Sequence, residues 1–226
     1  MEAPAYRLAF RWSLDQQQKN REFQMIIINI PTDRLAAVAT AMSKKDPRYY
    51  LCGVHVTSTS NTNVVAIEAS DGHRFMRALL DQSDGETDCD HSNIDAILPA
   101  DAVQQILKAA GRKEPTIQLK IDGENFELIV PMGVAIRGKL IDGTYPETQR
   151  IWPAETSNET AQYNAAYLAD MSKAAKLLGI KSGYFHVHHN GLNPSLVSFD
   201  KIESVAGMVM PVRLEPSHAP SAASYY

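Results

Sequence analysis

Four consecutive residues, Asp71-Gly72-His73-Arg74 within the stretch EASDGHRFM, bring together side chains able to do chemistry. A carboxylate two positions from an imidazole can orient it as a general base. Such a base needs a nucleophile or a second acid to work with. No Ser or Cys nucleophile motif stands near the tetrad and no second carboxylate pairs with Asp71, so hydrolysis by His73 and Asp71 is disfavoured. As local structure the stretch reads as a tight turn between strands, with Gly72 supplying a positive φ. A second cluster, HVHH, sets His186 and His188 on one face of a strand with His189 beside them. Two such imidazoles can begin a zinc site. No third ligand is evident, so neither a metal nor another cofactor is expected. The acidic run DGETDCDH, residues 84–91, lacks EF-hand spacing and reads as a solvated loop.

Elements that could position these residues follow from composition and periodicity. The 226 residues are 44% hydrophobic and 21% charged, which suits a chain that buries a core. Two cysteines, Cys52 and Cys89, make no disulfide scaffold and point to a reducing cytoplasm. The longest apolar run, MIIINI, is too short to span a membrane. The first residues lack the basic-then-apolar order of a secretory signal. Residues 1–22 read as an arm and 215–226 as a flexible tail.

Between them one pattern recurs three times: strand, helix, then three strands. Unit one has the strand FQMIIINI, a helix DRLAAVATAMSKK capped by Thr32 with Leu35, Val38 and Met42 inward, and the strands RYYLCGVHVTS, NVVAIEAS and RFMRALLD. Unit two has IDAILP and the helix ADAVQQILKAA, begun by Pro99 and ended by Gly111, with Val103, Ile106, Leu107 and Ala110 inward. Its strands are TIQLKIDG, NFELIVP and GVAIRGKLI, with Asp122-Gly123 turning the first hairpin. Unit three has TAQYN, a helix AAYLADMSKAAKLL burying Leu168, Met171, Ala175 and Leu178, and the strands GYFHVHHN, SLVSFD and GMVMPVRL. The fold class is α+β. Residues 23–153 hold two of these units and 154–214 one.

Charge is segregated onto the helices. Windows 32–45, 99–113 and 164–181 hold nine cations: Arg34, Lys44, Lys45, Lys108, Arg112, Lys113, Lys173, Lys176 and Lys181. Their three acids, Asp33, Asp101 and Asp170, come early in each helix, where the dipole favours them. The windows net +6 within a chain of −4, leaving −10 elsewhere. Any single Lys is adequately explained as a solvated helix position, but the collective excess suits a surface that meets phosphate without reading sequence. Arg48, beside Tyr49-Tyr50, adds an expected phosphate contact, and Tyr50 a base-stacking ring.

Four stretches in order, RYYLCGVHV, EASDGHRFM, GKLIDGTYPETQRIWP and VMPVRL, resemble the bacterial DNA polymerase III beta sliding clamp family over roughly residues 23–214. The resemblance implies the DNA-clamp fold, built from β-α-β-β-β units with sheets outside and helices lining a ring. It implies a non-enzymatic processivity factor that encircles double-stranded DNA and tethers a DNA polymerase, with a clamp loader as a further partner. It also implies a hydrophobic cleft for short client peptides. The matching residues are Leu51, Ser70, Gly72, His73, Arg74, Phe75, Pro153, Val209, Met210, Pro211, Val212, Arg213 and Leu214. Leu, Phe, Val and Met would floor such a cleft, and Arg and His would rim it. Phe75 is larger than the family's usual aliphatic residue there.

The family's chains have six units and this one has three, resembling the middle domain plus the second half of the last. Rings of twelve units then imply a homo-oligomer of four chains. An odd count breaks head-to-tail alternation, so the expected contacts are isologous, unit three on unit three and unit one on unit one. The rival reading is a clamp-like decoy or regulator that binds client peptides and never closes a ring.

Overall fold

The computed structural model describes residues 25–83, 91–111, 114–131 and 133–213. Among these residues eleven strands form two antiparallel sheets, with three helices packed against them. β1 (Ile26–Pro31) alternates, so Ile28 and Ile30 are buried and Asn29 is turned away from the core. α1 (Thr32–Val38) follows at once. Thr32 does not cap it: Pro31 is the N-cap, and the Thr32 hydroxyl is buried inside the first turn without a partner. The helix is also shorter than expected. Beyond Val38 the chain tightens into i to i−3 bonds, from Thr40 N–H to Ala37 O and Ala41 N–H to Val38 O, and the Thr40 hydroxyl also donates to Ala37 O. Leu35, Val38 and Met42 are nonetheless all buried.

A 3-10 turn (Tyr49–Leu51) takes the first part of the expected strand, and β2 (Gly53–Ser58) runs on to β3 (Val64–Ser70) and β4 (Arg74–Asp81). In unit two, β5 (Asp95–Pro99) enters α2 (Ala100–Ala110), which Gly111 ends with φ 59°. β6 (Thr116–Asp122), β7 (Asn125–Ile129) and β8 (Ala135–Lys139) follow. Asp122 pairs with Asn125, so the hairpin turn is Gly123-Glu124, one residue later than expected, with Gly123 at φ 57°. Unit three comprises α3 (Ala165–Leu177), β9 (His186–His188), β10 (Ser195–Phe199) and β11 (Ile202–Val209). β11 stops before Met210-Pro211, since proline lacks the N–H a ladder needs.

The first two units exchange their opening strands. β1 lies in the sheet β1-β6-β7-β8, and β5 in the sheet β5-β2-β3-β4-β11-β10-β9. The expected opening strand of unit three, TAQYN, is not a strand. Its counterparts each pair in a sibling unit's sheet, and no sibling stands opposite unit three among the described residues. The two-unit part and unit three join through β4 and β11, with Arg77 opposite Ala206. Unit one's outer strand β4 is thereby paired inside the chain, while unit two's β8 ends its sheet. An isologous contact of unit one on unit one is ruled out on that ground. One hydrophobic core runs through all three units, including Ile28, Leu119, Val56, Met171 and Val197. Leu107 and Leu168, expected inside, are half-buried.

Candidate peptide cleft and basic helix face

The tetrad is a turn held by its own side chains. Asp71 Oδ1 accepts from the N–H groups of His73 at 2.9 Å and Arg74 at 3.0 Å. Ser70 Oγ accepts from Gly72 N–H at 3.0 Å and donates to Arg74 O at 2.9 Å. Gly72 has φ 88°, and a Cβ there would stand 2.8 Å from the Arg48 guanidinium. Glycine is thus required twice, by conformation and by space. Arg48 reaches over the turn, donating to Asp71 O at 3.2 Å and to both carboxylate oxygens of Asp46 at 2.9 Å. Those bonds hold the Asp46 carboxyl down at about 2, so the pair is intact at neutral pH.

Met210 N–H donates to His73 O at 2.8 Å. This bond brings VMPVRL against SDGHRFM and closes one side of a 290 Å³ cleft. Leu51, Ser70, Gly72, His73, Arg74, Phe75 and Met210 line it. Val209 is fully buried behind it, Pro211 and Val212 are half-buried, Arg213 is exposed, and none of these lines it. Pro153 is likewise outside the lining, and Leu214 lies outside the described residues. Sequence reasoning missed Tyr145, Pro146, Thr148, Ile151, Pro194 and Met208, and it assigned Arg48 elsewhere. The first four sit in TYPETQRI, a motif already singled out; Pro194 carries no sequence signal.

Arg74 does not hang free at the rim. It pairs with Asp170 of α3, sits 3.1 Å from Asp71 Oδ2, and lies 5.3 Å from the Tyr167 ring centre. It fastens the turn to α3. Behind the cleft, Glu68 is 2% exposed. It accepts from Thr148 Oγ1 at 3.0 Å and meets His55 Nδ1 at 2.9 Å, while His55 Nε2 meets Asp95 at 2.7 Å. The His55 ring stacks on Tyr145 at 4.4 Å. Burial, and then the Glu68 charge, push the Tyr145 phenol well above its usual range. This network pins the 145–151 wall to the sheet. A hollow of 730 Å³ elsewhere is larger but shallow, floored by Arg77, Leu79 and Ala206 away from the turn.

On the helix side, α1 packs against both α2 and α3. Lys108 on α2 and Lys173 and Lys176 on α3 are exposed, as is Lys181 just after α3. Asp170 is occupied by Arg74, which leaves the two α3 lysines less opposed. Lys44 and Lys45 are exposed but lie past the end of α1. Arg34 pairs with Asp33 at 2.8 Å, Tyr50 packs half-buried against Leu51 and Tyr145, and Arg112 and Lys113 lie outside the described residues. His188 bonds Ser198 at 2.8 Å and His189 meets Tyr163 at 2.9 Å. Among the described residues no group of three metal-ligating side chains is present, nor is any helix long and apolar enough to cross a membrane. Residues 84–90 of the acidic run lie outside the described residues.

The two antiparallel sheets and the helices packed against them make this an α+β protein. The family model for the DNA polymerase III beta subunit, central domain, matches residues 29–147, more than half the chain, and the chain belongs to that family. The beta sliding clamp of Lactococcus lactis subsp. lactis (strain IL1403) is 28% identical over 167 residues, covering 74% of this chain and 40% of the relative. That of Vibrio cholerae serotype O1 is 28% identical over 138 residues, covering 61% and 35%. The crystal structure of the Pseudomonas aeruginosa DNA polymerase sliding clamp with ligand superposes with TM-score 0.65 at 17% identity, covering 84% of this chain and 66% of that one. The likeness in structure shows a shared clamp fold. The chain spans about two fifths of the length of these curated relatives.

Proposed function

We propose that this chain is a sliding clamp, a non-enzymatic processivity factor that encircles duplex DNA and tethers a polymerase by a short peptide. The observation that carries the reading is the Met210 to His73 backbone bond. It builds an apolar cleft with a polar rim from two stretches that are 137 positions apart, within a single chain. A flexible peptide with an early Gln and later Leu and Phe binds there in the micromolar range, because ordering entropy offsets much of the contact energy. Isothermal titration checks this; no binding at roughly millimolar peptide, the weak end of the affinity scale, contradicts it.

The exposed lysines of α2 and α3 line the bore, meeting phosphates without base contacts. The division at residue 153 separates a complete domain from a half domain. Three units per chain call for four chains in a ring of twelve, joined by isologous contacts at unit three and at β8 of unit two. A clamp loader and a polymerase are the partners of this assembly. Light scattering without DNA reads the chain number. A stable monomer that still binds the peptide would instead make the chain a decoy for clamp clients.

A further inference from the structure

We propose that a second copy of this chain completes unit three by reciprocal strand exchange, residues 160–164 of each copy pairing antiparallel with β9 of the other. The proposal deepens the ring reading and rests on it for the identity of the partner. Its argument is the internal repeat. β1 pairs with β6 and β5 with β2, each an opening strand on the sibling's second strand. The two registers obey one rule. The residue just before the helix, Pro31 or Pro99, faces the first residue of the accepting strand, Thr116 or Gly53. The accepting strand then enters its ladder with its own third strand two residues later, at Gln118 or His55.

Unit three presents both halves of this arrangement unpaired. β9 ends its sheet, and it enters its ladder with β10 at His186. Residues 160–164 lead straight into α3, as β1 leads into α1. They also sit where β1 sits. The Gln162 carbonyl, three residues before α3, accepts from Val212 N–H at 2.7 Å, just past β11. Asn29, three residues before α1, is held through its N–H at 2.8 Å and its carbonyl at 3.0 Å by Gln82, just past β4. Upstream, Asn158 N–H donates to His189 O at 3.0 Å and Gly191 N–H to Glu159 O at 2.9 Å, which anchors the start of the segment. The Tyr163 hydroxyl bonds Ser195 at 2.7 Å. None of the five N–H groups of 160–164 donates to a protein acceptor among the described residues. A run of unpaired donors near an open strand edge is a pairing surface.

Applied to unit three, the rule puts Asn164 opposite Tyr184 of the other copy. Gln162 then faces His186, and the pairs Tyr163–Phe185 and Ala161–Val187 point inward. The burial pattern agrees. Tyr163, Phe185, Ala161 and Val187 are half-buried in the single chain, while Gln162 and His186 are exposed. The corresponding inner residues of the complete domain, Ile30 and Ile117, are fully buried. A slip of one residue would put Tyr163 and Phe185 on opposite faces, so the pattern selects this register. Each copy donates and accepts one strand, so the contact closes on itself as a twofold.

The test is made on the full chain carrying Gln162→Cys and His186→Cys, oxidised mildly and run without reductant. The expected result is a covalent dimer that reductant dissolves. Each single variant, and Gln162→Cys with His188→Cys, two residues out of register, should stay uncrosslinked because their Cα atoms stand too far apart. No dimer from the in-register pair, or equal dimer from the misaligned pair, overturns the proposal. Independently, Ala161→Asp, at a position in no strand of the single chain, should lower the mass in light scattering twofold and leave client-peptide affinity unchanged. An unchanged mass overturns it. Peptide titration of the wild type separates the two readings. Failed crosslinking with intact peptide binding removes only the exchange, and lost peptide binding with intact crosslinking removes only the clamp assignment.

Discussion

Met210 and His73 share a backbone bond, yet their side chains should contribute unequally to binding. Met210 is 39% exposed over an apolar floor, so a peptide can cover it. Met210→Ala should weaken peptide binding by about 1–2 kcal/mol in calorimetry, and His73→Ala, at the solvated rim, by less. Equal affinity of wild type and Met210→Ala would remove the cleft assignment. Glu68 tests the support behind it. Its carboxylate is buried among Thr148, His55 and, at 3.9 Å, Arg77. Glu68→Ala takes the partner from the Thr148 hydroxyl and from His55 Nδ1 and should lower stability by roughly 2–4 kcal/mol in urea unfolding. It should also weaken the peptide, because Thr148 holds the 145–151 wall. At this scale the sequence disclosed the turn well, since Gly72 and Asp71 act within five residues. It did not disclose Glu68, His55 and Thr148 as one network. Their spacing of 13 and 80 positions has no local signature.

Elements were legible where their causes were local. α2 spans the expected ADAVQQILKAA residue for residue, because Pro99 starts it, Gly111 stops it and its apolar face is regular. The helix of unit one is shorter than its periodicity predicts, and TAQYN forms no strand, for causes beyond propensity. Thr40 bonded back to Ala37 and ended the first, and the second had no sheet to join. The shortening of α1 moves Lys44 and Lys45 off the helix, so the phosphate-facing charge should rest mainly on α2 and α3. Replacing Lys108, Lys173 and Lys176 together with Glu should leave folding intact, since all three are exposed. It should weaken DNA retention and reduce the slope of log affinity against log salt by roughly 2–3. Unchanged binding at low salt would show that these helices do not face DNA.

For the whole molecule, the joint between β4 and β11 shows how units meet. His55, Glu68 and Arg77 lie in one row across unit one, and Ala206, Ser198 and His186 continue it across unit three. Arg77 and Ala206 hold the same rank in their units, each in the final strand, so the joint is a local twofold between them. The same row in unit two is Gln118, Ile129 and Ala135. Ala135 therefore has the rank of Arg77, and β8 joined to β8 of another copy by the same geometry puts Ala135 opposite Ala135 and Val134 opposite Ile136. Val134 is 42% exposed in the single chain, a large apolar side chain at an open edge. Val134→Glu should bury four charges at two such joints per ring and break both. Light scattering should then read two chains in place of four, and retention on closed circular DNA should be lost. The crosslink between residues 162 and 186 should persist, because unit three is untouched. A tetramer surviving Val134→Glu would mean that β8 is not a ring joint, and the twofold repeated from β4 and β11 would not govern the assembly.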